Sequence, residues 1–425
     1  MNYLRDVIVN ITTWVEDLTE TQRRIVLATG ILLMAAILGV IIFWLFFKPL
    51  LPEPTVNING QLINVNQLPE IINNANRGVI NDNVAGLPTF TETANGGNTL
   101  AQVIYNNDAQ NVVLSGDGDT VQYYDAATGR FYRIDANGNV VQLGEAVFKG
   151  VEQATWSHDA NKAVLELQDG FNILYDFERD QQYTLHEDMQ EFDFSPTDDQ
   201  ISFKFMADNP QDRWLGTANI DGSGALGIEP LGENGDRVLA EWSPSGQAIG
   251  AYSEFIDADT KKVIPIGLKG ENFKDFIVEG RGFNYQWSNN GRQMLYSTYT
   301  AENNYNSTLH IVDAYGDTIG DNNKSLNLNT SVDKCTFNKV GSTVYCAVPV
   351  NPPAGGGIAP SLLNNVPHDI YKIDIHQGIA VKLATPADPI AGTNLNGPTD
   401  LLVTDNEDVL YYREANTGRL RRIVL

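Results

Sequence analysis

The sequence predicts an all-β protein: a seven-bladed β-propeller closed by an N-terminal strand and preceded by one transmembrane helix. Three observations carry this. First, a short turn motif recurs seven times: S-G-D-G at 115, S-H-D-A at 157, S-P-T-D at 195, S-P-S-G at 243, S-N-N-G at 288, N-K-V-G at 338 and T-D-N-E at 404. The steps between them are 42, 38, 48, 45, 50 and 66 residues, close to the period of a four-stranded propeller blade. Second, each turn joins two runs of strand-type residues, for example A-V-L-E-L (163–167), I-S-F-K-F (201–205), M-L-Y-S-T (294–298) and T-V-Y-C-A-V (343–348). Third, residues 25–47 are apolar or small and carry no charge. As a helix they rise about 34 Å, enough for a hydrocarbon core of about 30 Å.

In chain order, residues 1–24 come first. Leu4, Val7, Ile11, Trp14 and Leu18 recur at helical spacing, giving a cytoplasmic amphipathic helix that lies on the inner membrane surface or docks on a partner helix, the first being preferred. The span 25–47 follows. Arg5, Arg23 and Arg24 precede it and Lys48 follows, which favours the N-terminus inside and the large C-terminal part outside the cytoplasm. No small-x-small cleavage site follows the run, so it reads as a retained single-pass anchor in the plasma membrane, with the lipid bilayer as its partner. Ala35 and Gly39 form a small-xxx-small pair through which the helix could self-associate. Residues 48–98 form an Asn/Pro-rich linker. Pro49, Pro52 and Pro54 stop the helix, a hairpin is expected around Asn59-Gly60, and 94–98 (A-N-G-G-N) read as a flexible joint.

Residues 99–425 are the propeller. Ser or Thr caps each turn through its hydroxyl, Pro presets φ, and Asp, Asn or Gly tolerates the corner. The large residue before the turn (Trp156, Phe194, Trp242, Trp287, Phe337) is expected to pack between blades. The last repeat has strands near 400–403, 408–413 and 418–424 and lacks a fourth, whereas L-A-Q-V-I-Y (100–105) has no blade of its own. This run should complete the last blade and close the ring, removing unpaired edges.

The turn pattern resembles the TolB-like β-propeller repeat, a relative of the WD-type repeats. W-S-P-S-G-Q-A-I-G-A-Y (242–252), W-S-N-N-G-R-Q-M-L-Y (287–296) and F-S-P-T-D-D-Q-I-S-F (194–203) carry the resemblance. It implies the fold, and the fold hosts many functions. A membrane anchor and an Asn-rich linker stand where the TolB protein has an α/β domain, so TolB's partners do not transfer.

Charge narrows the function. The net charge is -25, and residues 1–48 are balanced, so the whole excess lies in 49–425. Such a surface repels phosphate backbones and argues against nucleic-acid binding. The histidines (His158, His186, His310, His368, His376) form no H-x-x-x-H pair, and no G-x-S-x-G, Walker or dinucleotide motif occurs. Asp117 with Asp119, and Asp135 with Asn137 and Asn139, read as turns because they lack a calcium loop's spacing and bidentate Glu. No catalytic residue, metal or cofactor is therefore assigned. Cys335 and Cys346 flank the turn at 338–342 nearly opposite each other, within reach of a disulfide in an oxidising compartment and two buried thiols otherwise. The loop 351–367 is long for a hairpin connection and carries Ile358, Leu362 and Leu363 as candidate partner contacts. The expected function is a protein–protein interaction scaffold in a cell-envelope or surface assembly, not an enzyme. A propeller lyase, lactonase or glycan hydrolase, or a cell-wall polysaccharide binder, is the alternative.

Overall fold

The computed structural model describes Thr19, Gln22, Leu38, the backbone of Thr55–Ile58 and Gln61–Asn64, and residues 90–425. The chain divides into two compact units, Met1–Val84 and Ala85–Leu425. In the first, the Gln22 side chain accepts from both the Thr19 amide (3.1 Å) and hydroxyl (2.8 Å), a bond of the kind that marks a helix start. Thr55–Ile58 pairs antiparallel with Gln61–Asn64, Ile58 opposite Gln61, so two residues connect the strands of the expected hairpin. Among the described residues no helix is long and apolar enough to cross a membrane. The expected amphipathic helix at 1–24 and the span at 25–47 lie outside the described residues apart from Thr19, Gln22 and Leu38.

The second unit is a seven-bladed all-β propeller. Seven antiparallel sheets follow one another, and five consist of four strands each consecutive in sequence. Blade 1 runs from Ala109–Leu114 to Val140–Leu143, and blade 2 from Val151–Trp156 to Gln181–Leu185. Blade 3 comprises Met189–Phe194, Gln200–Phe205, Trp214–Asn219 and Leu226–Pro230. Blade 4 spans Val238–Ala240 to Phe276–Glu279, blade 5 Arg281–Trp287 to Lys324–Ser325, and blade 6 Cys335–Phe337 to Ile379–Ala387. Blade 7 takes Pro398–Val403, Val409–Glu414 and Leu420–Val424 from its own repeat. Its fourth strand is Gln102–Tyr105, antiparallel to Leu420–Val424, as the unassigned run required.

Each turn motif joins the first two strands of a blade. Its hydroxyl does what the sequence suggested: Ser157, Ser195, Ser288 and Thr404 each accept the amide five residues on, at 2.9–3.1 Å. In blade 6, Asn338 does the same through Oδ1. Phe194, Trp242, Trp287 and Phe337 are buried, and the Trp156 indole N–H donates to the Asn111 carbonyl of the preceding blade at 2.8 Å. Asp117 and Asp135 accept amides of their own turns. Cys335 lies directly opposite Cys346, Cα–Cα 4.1 Å, and the two are disulfide-bonded.

Two features differ from expectation. The A-N-G-G-N segment is not a free joint. The Ala94 amide donates to Val424, the Gly96 amide to Leu383, and Asn98–Leu100 pairs parallel with the outer strand of blade 6. Its backbone groups find partners on two blades, which outweighs a composition suited to loops. Second, the innermost strands of blades 1, 3 and 7 are bulged, with Asn111, Glu191 and Asp400 at φ 50°, 52° and 48°. All three stand four residues before the turn Ser or Thr, where a bulge bends the strand.

The seam between blades 6 and 7 is held by a buried charge. Arg421, 4% exposed, donates from Nε to Glu414 (2.5 Å) and from Nη1 to Asp388 (3.0 Å) and to the Ala101 carbonyl (2.6 Å). One guanidinium thus ties the closing strand to both blades. Removing one partner of such a group leaves uncompensated buried charge. Arg421→Met should lower unfolding free energy in urea by about 3–5 kcal/mol. Arg422→Met, which loses two exposed bonds to Gln102, should cost under about 1 kcal/mol. Equal effects would show that the seam does not depend on Arg421.

Candidate functional site

The strand ends at the turn face converge on the ring axis and line a cavity of about 510 Å³. The residue just before each turn aromatic contributes its wall: Asp193 from blade 3, Glu241 from blade 4 and Gln286 from blade 5. The turns add His158, Lys339 and Asp405 at the rim. The acids are fixed by the next blade. Asp193 Oδ2 accepts the Trp242 amide at 2.5 Å, and Glu241 Oε1 accepts the Trp287 amide at 3.1 Å. Both keep some contact with solvent in the channel, yet protein surrounds them on all sides. That enclosure penalises the charged form. Burial pushes Asp193 up to about 6 against the two amides that favour its anion. Burial, then repulsion from Asp193, pushes Glu241 up to about 8.

The rim is bridged between blades. Asp198 of blade 3 accepts the His158 and Asp159 amides of blade 2 and meets His158 Nδ1 at 2.9 Å, which raises the histidine's pKa. Lys339 is paired with Asp405. Among the described residues no group of three His, Cys, Asp or Glu side chains is placed to hold a metal. The channel mouth therefore offers a wall whose carboxyls are partly protonated near neutral pH, suited to a hydroxyl-rich or cationic group.

The opposite face has another character. It is built from the loops between second and third strands and the links between blades, and it carries exposed Phe171, Phe255, Ile256, Tyr305, Ile358 and Leu362. The turn face shows fewer exposed large apolar residues, Val140, Leu226, Tyr315, Val340 and Ile379. The long loop 351–367 contributes to this surface without standing free. Gly355 and Gly357 donate to Asn304 and Tyr305 of blade 5 at 2.8 Å, and the Asn364 carbonyl accepts from Gly397 before blade 7. Gly357 has to be glycine, since a Cβ there would meet the Tyr299 ring at 2.7 Å. Ile358 and Leu362 are 58% and 48% exposed, whereas Leu363 is buried inside the loop, so of the three residues singled out only two can meet a partner.

No protein-family model matches the sequence, and no curated protein matches it. Solved structures do align. A β-propeller domain of Cps50 (Swd1) from Myceliophteria thermophila is 13% identical, covering 77% of this chain and 100% of that chain at TM-score 0.49. An oligogalacturonate lyase in complex with manganese is 13% identical, covering 76% and 90% at 0.47. Hydrazine synthase from Kuenenia stuttgartiensis is 11% identical, covering 77% and 97% at 0.48. Nothing about binding or activity transfers at these values. The fold rests on the strand pairing itself.

Asp193 and Glu241 escaped the sequence reading. A signal existed: each precedes the aromatic of a turn motif, where blades 1, 2 and 7 have Val113, Thr155 and Leu402. A carboxyl whose pKa is raised by folding binds more protons folded than unfolded between its two pKa values, so stability falls as pH rises through that interval. For these acids the interval runs from about 4 in the unfolded chain to about 6 for Asp193 and 8 for Glu241. The raised His158 acts in the same direction above its unfolded value. Thermal unfolding at pH 5, 7 and 8.5 should give a falling midpoint, and Glu241→Gln should flatten the upper part and be more stable than wild type at pH 8.5. An unchanged slope in the variant would exclude Glu241 as the source.

Proposed function

We propose that this protein is a membrane-anchored, extracytoplasmic β-propeller that acts as a protein-interaction scaffold within a cell-envelope or surface assembly. The single observation that carries the binding role is the excess of exposed large apolar side chains on the face opposite the turns. Exposed large apolar side chains gathered on one face mark interaction sites. With a net charge of -25 on the chain, the complementary surface is basic as well as apolar. The anchor reading rests on the uncharged run 25–47 with its flanking arginines, and the Cys335–Cys346 bridge suits an oxidising compartment. We read the repeats as TolB-like on the motifs at 194–203, 242–252 and 287–296.

Cross-linking in intact membranes, affinity recovery of the full chain and mass spectrometry test this. A specific partner should be recovered with wild type, and Ile358→Asp with Leu362→Asp should reduce recovery about tenfold or more, as loss of central apolar contacts does. Equal recovery with the double variant would remove this face from the interface. A membrane-impermeant amine reagent applied to intact cells should label the exposed Lys274, and protection would place the ring in the cytoplasm.

A second reading draws on the channel. A carboxyl kept protonated near neutral pH beside a second one is what a general acid requires. In that case Glu241→Gln would abolish turnover of a polysaccharide substrate while leaving partner recovery intact.

A further inference from the structure

The seven blades share one register, which makes a departure visible. Eight residues after each turn residue, the second strand pairs with a third-strand residue that is large or ring-bearing in six blades: Tyr132, Ile173, Pro265, His310, Tyr371 and Arg421. In blade 3 it is Gly216, opposite Phe203, and the outer-strand residue paired with Gly216 is Gly227. Two adjacent side chains are thus missing from the wall that faces blade 2. The space they leave is a cleft of about 520 Å³ between the outer parts of blades 2 and 3.

Rings line this cleft. Trp214 lies against Gly227, where a Cβ would meet the indole at 2.8 Å, and Phe203 lies against Gly216, where a Cβ would meet the ring at 3.2 Å. Phe205 and His186 face each other with centroids 5.1 Å apart. Trp214 is 37% exposed and Leu226 lies open at the mouth, so the indole is reachable from solvent, with buried Phe203 behind it. Asp221 stands at the rim, where the Ser223 hydroxyl and amide hold its carboxyl below the usual range, so it is charged. Blade 3 is also acidic outside the ring: residues 206–236 hold six acidic side chains and one basic, Arg213.

We propose that this cleft is the anchor pocket for an aromatic side chain carried on a basic segment of a partner protein. This rests on the scaffold reading and assigns it a second contact, distinct from the face bearing Ile358 and Leu362. An aromatic ring entering the cleft finds edge-to-face and stacked neighbours, the arrangement aromatic pairs prefer. Flanking Lys or Arg residues find Asp221 and the acidic loops of blade 3. Aromatic anchors in preformed pockets are the residues that dominate interface energetics.

The test uses the full chain in phosphatidylcholine nanodiscs, with empty nanodiscs as control, and fluorescence anisotropy of labelled tripeptides. Acetyl-Lys-Trp-Lys-amide should bind about tenfold or more tightly than the Lys-Ala-Lys peptide, as expected for loss of an anchor. It should also bind more tightly than Glu-Trp-Glu, which keeps the ring and reverses the charge. Trp214→Ala should remove the preference for Trp over Ala. Asp221→Asn, on an exposed turn, should narrow the gap between Lys-Trp-Lys and Glu-Trp-Glu and retain the wild-type melting midpoint. Binding of Lys-Trp-Lys that is unchanged in Trp214→Ala, or no tighter than Lys-Ala-Lys, or no tighter than Glu-Trp-Glu, overturns the proposal. If the peptides fail while the cross-linked partner is still recovered and still lost in the Ile358/Leu362 double variant, the cleft proposal falls and the scaffold reading stands. If no partner is recovered either, both fall.

Discussion

A ring of sheets is stable only if its last sheet meets its first, and here that meeting depends on a strand taken from the opposite end of the chain. Blade 7 contributes three strands of its own and receives Gln102–Tyr105 as its fourth. Without it, Leu420–Val424 would present an open row of backbone donors and acceptors to solvent. The neighbouring Asn98–Leu100 extends blade 6 as a fifth, parallel strand, so one continuous segment spans the seam. Arg421 then fastens that segment at Ala101 while holding Glu414 and Asp388. These contacts join residues some 320 apart in sequence, so they can form only after much of the chain is in place. The channel wall needs all seven inner strands, so it is complete only when the seam is.

Similar cross-blade bonds repeat at lower cost around the ring. Buried Lys204 donates to the carbonyls of Gly235 and Val238, tying blade 3 to blade 4, and meets Glu191 at 2.5 Å. Buried Lys334 donates to Pro398 between blades 6 and 7, and Gln122 to Ala160 between blades 1 and 2. Each places a long polar side chain so that its donor reaches a main-chain carbonyl of the next blade. The aromatics before the turns supply apolar area at the same boundaries. Blade-to-blade adhesion therefore mixes packing with directed bonds, and the directed bonds set the angle between neighbours.

What was legible in the sequence was local. The turn residues reveal themselves because a Ser or Thr hydroxyl bonds within five residues, and the Cys335–Cys346 pairing because the hairpin is short. The closing strand was legible by elimination, as an apolar run without a blade. The rest depended on distant partners. Asn95, Gly96 and Gly97 have turn-forming composition, and only Leu383 and Val424 across the seam reveal that their neighbourhood is docked. The bulges at Asn111, Glu191 and Asp400 depend on how the innermost strand must bend, which no residue type in the motif announces. Asp193 and Glu241 look like ordinary surface acids in sequence, and their charge is resisted only because ring closure surrounds them with protein.

A repeat architecture supplies its own reference, and blade 3 departs from it on both walls. Inside, the position that is Val, Thr or Leu in blades 1, 2 and 7 is Asp193, beside Glu241 of blade 4. Outside, a position filled by large or ring-bearing side chains elsewhere is Gly216. Both departures work against the ring. An enclosed carboxyl costs desolvation, and an unfilled gap between sheets forfeits dispersion contacts along its lining. Neither is required by the geometry of a blade: blades 1, 2 and 7 carry no carboxyl at the inner position, and the other six blades carry a large or ring-bearing side chain at the outer one. Trp214 and Phe203 recover part of the lost packing by lying against the two glycines, but Trp214 stays 37% exposed. The same substitution that weakens the wall thus opens the aromatic surface, which is why the cleft follows from the repeat pattern and not from loop variation.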